Sequence, residues 1–237
     1  MSTAMPFLGS LVGVGTIVLV YYLTWSSGHL PDDIATPPIS LLGCKSPEHE
    51  AYQLGFSLTG LLLYCCVHIW KGAFYPHFQR DFPSASCGAL FGAYLAVIGV
   101  IGQGIVTLES DFFERVERGD TMSAQSICHQ LTAGCFFLGA AIHCYATCYI
   151  CFLGGGVTVY STLGKRAKFV CLVFSLVAWP IAEALHPAAT GNIEKRAVAV
   201  GGVAQYVTVG AYILFFGSYS LDLLAQQERM RGSLKKD

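Results

Sequence analysis

Six continuous apolar runs dominate the chain, at about 7–25, 51–70, 86–108, 127–153, 168–185 and 197–223. Each approaches the ~20 residues that a helix needs to cross ~30 Å of hydrocarbon. They are unbroken runs rather than ~10-residue alternating segments, which argues against a transmembrane barrel. Hydrophobic residues make up 54% of the 237-residue chain and charged residues 12%, about half the charge of a typical soluble domain. The predicted fold is all-α: one domain over 1–237, a polytopic membrane bundle of six transmembrane helices. No basic segment precedes the first run, so it reads as a retained helix rather than a cleaved signal. A net charge of −1 supplies no basic field for nucleic acid.

Lys and Arg give the helices a direction. One set of loops carries Lys71, Arg80, Lys165, Arg166, Lys168, Arg229, Arg231, Lys235 and Lys236; the other carries Lys45, Arg115, Arg118, Lys195 and Arg196. The positive-inside rule places the first set, and with it both termini, in the cytosol. The opposite side is acidic, with Asp32, Asp33, Glu48 and Glu50 in loop 1 (about 26–50) and Glu109, Asp111, Glu114, Glu117 and Asp120 in loop 2. Loop 1 carries Pro31, Pro37, Pro38 and Pro47, which predicts ordering by rigid turns rather than helix. Trp25, Trp70 and Trp179 fall near helix ends, as an aromatic belt requires. Gly88-Ala-Leu-Phe-Gly92 is a GxxxG match, read as packing within the bundle. The one asparagine, Asn192, is followed by Ile-Glu, so it forms no N-glycosylation acceptor.

The candidate chemistry is sparse. Ionisable and amide groups inside membrane helices call for a functional hypothesis by default. The polar residues singled out are Gln103, His129, Gln130, Glu183, Gln205 and Asp222. His129, Glu183, Gln205 and Glu48 form the candidate polar cluster: Glu183 either pairs with His129 or His186 or snorkels to the interface. Asp222 reads as a boundary residue. Cys44 and Cys128 both fall on the non-cytosolic side and are a candidate disulfide. Cys144, Cys148 and Cys151 share a helix face beside His143 but lack the supporting groups of a metal site; the last two approach the cytosolic boundary and are candidates for palmitoylation. His68 and His143 are offset by about 12 Å along the membrane normal at 1.5 Å per residue, which favours packing roles over haem ligation. Tyr75-Pro-His-Phe78 has the form of a tyrosine-based sorting signal. No Ser-His-Asp set, phosphate loop or paired-carboxylate site is evident, and no cofactor or metal is expected.

Three stretches resemble a known family: Pro38-Ile-Ser40-Leu-Leu-Gly43 followed by Pro47-Glu48; Gly99-Val-Ile-Gly-Gln-Gly-Ile105 with Cys128-His129-Gln130-Leu-Thr-Ala133 and Phe136-Phe137; and Gln205-Tyr206 with Tyr219-Ser-Leu-Asp222. Together they resemble the DRAM (damage-regulated autophagy modulator) family, grouped with the Frag and Sfk proteins, over nearly the whole chain. That family usually has Glu-Trp where this chain has Gln205-Tyr206, and a second Pro where it has Ser46, so an ionic role for that Glu is open here. The resemblance implies a multi-pass protein of lysosomes, endomembranes or plasma membrane, tied to autophagy or to phosphoinositide signalling and lipid asymmetry. No catalytic residues transfer. The leading expectation is a non-enzymatic modulator in which Pro38, Ser40, Gly43, Pro47 and Glu48 form a cap on the non-cytosolic face, with His129 bonding into it. Membrane lipids and protein subunits are the expected partners. The rival readings are a lipid-remodelling or lipid-transporting protein, with His129, Glu183 and Gln205 converging on a pocket, a haem carrier, and a structural subunit of a larger assembly.

Overall fold

The computed structural model describes residues 3–30, 34, 36–152, 159–186 and 194–233. Pro31, Asp32, Asp33, Asn192, Lys235, Lys236 and the end of the fourth apolar run at 153 lie outside them. Six helices are long and apolar enough to cross a membrane. They are α1 (Met5–Ser26), α3 (Glu48–Ala73), α5 (Pro83–Ile105), α7 (Ala124–Phe152), α8 (Thr162–Ala184) and α9 (Lys195–Gly217), which runs on through Ser218 into α10 (Tyr219–Ser233). Among the described residues three short helices join them: α2 (Ile39–Leu42), α4 (Tyr75–Phe78) and α6 (Phe112–Arg118). No strand occurs among the described residues. The 22 residues of α1 alone reach about 33 Å.

An even number of crossings returns the chain to the side where it began. The backbone N–H of Phe7 donates to Ser220 Oγ at 3.0 Å, tying the start of α1 to α10. This side is called the terminal face; loops 1 and 2 lie on the opposite, loop face. The exposed side chains of the bundle are large and apolar, among them Leu11, Val18, Leu54, Leu61, Ile98, Leu131 and Val177, as a hydrocarbon-facing surface demands.

Small residues set the tightest helix pair. Inside lipid the approach of backbones replaces hydrophobic drive. A Cβ placed at Gly92 on α5 would come within 2.6 Å of Gly139 O and 2.7 Å of His143 N on α7. Gly99 presses against the backbone at Phe136, and Gly139 against that at Ala96. Gly88, the other half of the GxxxG match, meets nothing within 4 Å among the described residues. The packing motif is therefore Gly92 against Gly139, with Gly99 against Phe136, rather than Gly88-xxx-Gly92.

Other expectations are corrected by packing. Loop 1 is not turns alone: after Pro38, Ile39–Leu42 close one helical turn. The third run ends at Ile105, where Val106 turns extended (ψ 100°) and leaves Thr107 and Leu108 in loop 2. Trp25 is 62% exposed and fits a belt, but Trp70 is 1% exposed and donates from Nε1 to Tyr160 Oη at 3.2 Å. Cys148 and Cys151 are buried, which closes them to acylation in this fold. Phe78 is buried and stacks on Tyr160 with ring centres 5.4 Å apart, so the Tyr75–Phe78 segment is packed helix rather than the extended strand that a sorting adaptor would read.

Candidate functional site

Polar side chains concentrate at two levels of the bundle. The first is the loop face. Pro38 stands at the N-cap of α2 with no side-chain acceptor of its own, and the first amide of that helix, Ile39 N–H, donates instead to Gln205 Oε1 at 2.6 Å. A buried residue of α9 thus caps loop 1 from 166 positions away. The interaction needs an acceptor, not a charge, which accounts physically for Gln at this position. Gly43 lies flat on Tyr52, where a Cβ would come within 2.5 Å of the ring. Thr24 Oγ1 reaches Leu42 O at 3.2 Å and His49 Nδ1 donates to Gly43 O at 3.0 Å, fixing both ends of the segment. Pro47 stands at the N-cap position of α3 and Glu48 in its first turn, where a carboxylate meets the positive end of the helix dipole. Ser40 Oγ is buried without a partner among the described residues.

Loop 2 closes over loop 1. Leu41, Leu108 and Phe112 form a small apolar core of their own, with Cys44 and Val116 against it. Within the same loop, Arg115 Nε pairs with Asp111 Oδ2 at 2.9 Å. Gly119 ends the helix in the left-handed region (φ 72°). Burial pushes the Cys44 thiol up to about 12, with Glu48 adding to the effect, so this thiol stays protonated and unreactive.

The expected cluster of His129, Glu183, Gln205 and Glu48 does not assemble as one group. Glu183 is exposed and accepts from Trp179 Nε1 at 3.2 Å, the snorkelling alternative. Gln205 is engaged at Ile39. His129 is fully buried, but its Nδ1 donates to Val106 O at 2.6 Å, holding the extended end of α5 rather than loop 1. Its ring lies 6.4 Å from that of Tyr52, and its Nε2 has no partner among the described residues. Glu48 is 1% exposed and accepts from His29 Nδ1 at 2.7 Å. Cys44 and Cys128 are both free, Cys44 Sγ near Ser40 O and Cys128 exposed, so the expected disulfide is absent.

The second level lies toward the terminal face and was not apparent from sequence. Lys168 and Asp222 are both 0% exposed and their Nζ and Oδ2 meet at 2.5 Å. Asp222 Oδ1 also accepts from Ser161 N–H at 2.8 Å and Ser161 Oγ at 2.9 Å, while Ser161 Oγ caps α8 by accepting from Gly164 N–H at 2.9 Å. The ammonium lies 4.2 Å from the Tyr219 ring centre and 5.2 Å from that of Tyr160, within cation–π range. Tyr160 is stacked 5.0 Å from Phe74. Next to this cage, His143 Nδ1 can only donate to Ala89 O (2.8 Å), so Nε2 accepts from Tyr219 Oη at 2.8 Å. Tyr219 Oη in turn is left to accept from Thr147 Oγ1 at 3.3 Å. Both nitrogens of His143 are thereby committed, as the packing reading required. His68 packs between the rings of Tyr64 and Tyr94. Asp222 is thus a buried junction rather than a boundary residue.

A family model described as the Frag1/DRAM/Sfk1/Cwh43P N-terminal domain matches residues 2–226. The chain belongs to this family. The match spans both polar levels and every transmembrane helix, and agrees with the resemblance carried by the loop 1, helix 4 and last-helix motifs. No curated protein and no solved structure gives a significant match. For this Frag1/DRAM/Sfk1/Cwh43P-family member the structural assignment is therefore an integral, multi-pass membrane protein with a capped loop face and an ion-paired terminal face.

Proposed function

We propose that this protein modulates autophagy or membrane-lipid (phosphoinositide) signalling without catalysing a reaction, from the lysosomal and endomembrane system or the plasma membrane. The observation that carries this reading is how the intramembrane polar groups are used. Lys168 is committed to Asp222, His143 to Ala89 and Tyr219, and Gln205 to Ile39. Such groups hold helices and loops in register. In this reading loop 1, from Pro38 through Glu48, is a structural cap on the non-cytosolic face, and the terminal face is cytosolic. Lys168 no longer counts as a loop charge, and the remaining Lys and Arg still favour that orientation. Membrane lipids and protein subunits are the partners. The lipid-remodelling alternative drew on Glu183, His129 and Gln205 sharing a pocket, and their separate engagements remove its support.

The test is removal of the protein from cells that express it, followed by re-expression. Autophagic flux, read as lysosomal turnover of a lipidated autophagosome marker, and membrane phosphoinositide reporters are measured together. A change in either, restored by the wild-type chain, supports the proposal. Unchanged flux together with unchanged phosphoinositides overturns it.

A further inference from the structure

Between loops 1 and 2 the loop face holds a half-open cavity of about 320 Å³, within the range of small-ligand sites. Its walls include His29, Lys45 and Glu48 from one side and Glu109, Phe112 and Glu114 from the other. Glu48 is 1% exposed, and only one of its carboxylate oxygens is used, by His29. The other, Oε2, is buried with no hydrogen-bond partner among the described residues. Glu109 Oε2 is likewise buried without a hydrogen bond, though Arg115 Nε pairs with it ionically at 3.8 Å. A buried acceptor left unmet is costly, and most of all when it carries charge. Both residues line the cavity, and a donor brought in from outside would satisfy oxygens that the protein itself leaves without a hydrogen bond.

The walls also say what kind of donor. Three carboxylates, Glu48, Glu109 and Glu114, outweigh Lys45 and a His29 already paired with Glu48, and Arg115 beside Glu109 is shared with Asp111, so the occupant is cationic. Among the described residues no three His, Cys, Asp or Glu side chains are grouped closely enough to hold a metal ion. The cation is therefore organic, with N–H groups to give. Lys45 at the exposed edge suits an anion attached to it, and Phe112 supplies an apolar wall.

We propose that this cavity binds a primary ammonium group, its N–H donating to Glu48 Oε2 with Glu109 supplying a second carboxylate, as part of a zwitterion whose anionic end meets Lys45. Such a zwitterion reaches the cavity either as a free solute or as a lipid headgroup at the membrane surface. The cap of loop 1 then has a ligand-dependent stability, because anything bound only to the folded state stabilises it.

The full chain in phosphatidylcholine nanodiscs is titrated calorimetrically with O-phosphoethanolamine and, separately, with phosphocholine, which carries the same charges but no N–H. The proposal expects saturable binding of the first and at least tenfold weaker binding of the second. Glu48→Gln lowers the affinity for O-phosphoethanolamine at least tenfold. Glu109→Gln, which leaves the His29–Glu48 pair intact, lowers it severalfold and stands in if Glu48→Gln does not elute as a folded species. A second set of nanodiscs contains phosphatidylethanolamine. Thermal stabilisation there that Glu109→Gln abolishes, without binding of the free zwitterion, assigns the ligand to a lipid headgroup; binding of the free zwitterion assigns it to a solute. Absence of both effects in the wild-type protein, equal affinity for phosphocholine, or undiminished binding in the folded variants overturns the proposal.

Discussion

Lys168 and Asp222 stand 54 residues apart and meet at 2.5 Å in a position enclosed on all sides by the protein. Their pairing joins the first turns of α8 to α10, and through Ser161 it also fixes the segment that enters α8. Removing one partner leaves a buried charge with nothing to balance it. Lys168→Met is expected to destabilise the fold by about 3–5 kcal/mol, read as a lower unfolding temperature in detergent. The double variant Lys168→Met/Asp222→Leu recovers most of that loss. It stays below wild type by about 1 kcal/mol, because the Ser161 hydrogen bonds to Asp222 are gone.

The α5–α7 contact distinguishes two glycines that look alike in sequence. Gly139 has backbone where a side chain would go, whereas Gly88 has open space among the described residues. Gly139→Leu is expected to cost about 3 kcal/mol or more through overpacking and to reduce the monodisperse yield on size exclusion. Gly88→Leu is expected to stay within about 0.5 kcal/mol of wild type.

At Gln205 the requirement is an acceptor for Ile39 N–H. Gln205→Leu orphans that amide at a cost of about 1–3 kcal/mol. Hydrogen exchange at Ile39 is then expected to accelerate. Gln205→Glu, which restores the family's usual residue, keeps the acceptor and keeps Ile39 protected.

The loop face carries a pH dependence through His186, just past the end of α8. Burial pushes its imidazole down from 6.5 to about 4, with the nearby His129 adding to the effect. The unfolded chain takes up the proton near 6.5 and the folded one only near 4. The unfolded state therefore binds more protons in between, and stability falls as pH drops through that window. The full loss is about 3 kcal/mol, and no effect from this group is expected above 6.5. Thermal unfolding across this range shows the slope in wild type and a flatter curve in His186→Gln.

Much of this architecture was legible in the sequence. Apolar length reports a membrane crossing, because the backbone of a spanning segment has to satisfy its own hydrogen bonds and does so as helix. All six crossings follow from run length alone, with most ends displaced by three residues or fewer, the start of the fifth by six and the end of the sixth by eight. The loop 1 motif was legible as a distinctive pattern, and the family match over 2–226 agrees with it. The contacts of individual polar residues were not legible. Lys168 counted as a loop charge and Trp70 as an interfacial anchor, yet both lie in the core. A one-dimensional pattern gives a residue's position along a helix but not which neighbours surround it.

The sequence by itself determined the number of crossings, the even topology and the acidic character of loops 1 and 2, since each follows from local composition set against the thickness and dielectric of a bilayer. Only the tertiary structure decided that Asp222 receives Lys168, that Gln205 caps a helix in loop 1, that Glu183 turns away to Trp179, and that one carboxylate oxygen of Glu48 is buried without a hydrogen bond among the described residues. Those outcomes depend on distances between segments far apart in the chain, and on which polar groups burial leaves with a partner within hydrogen-bond reach.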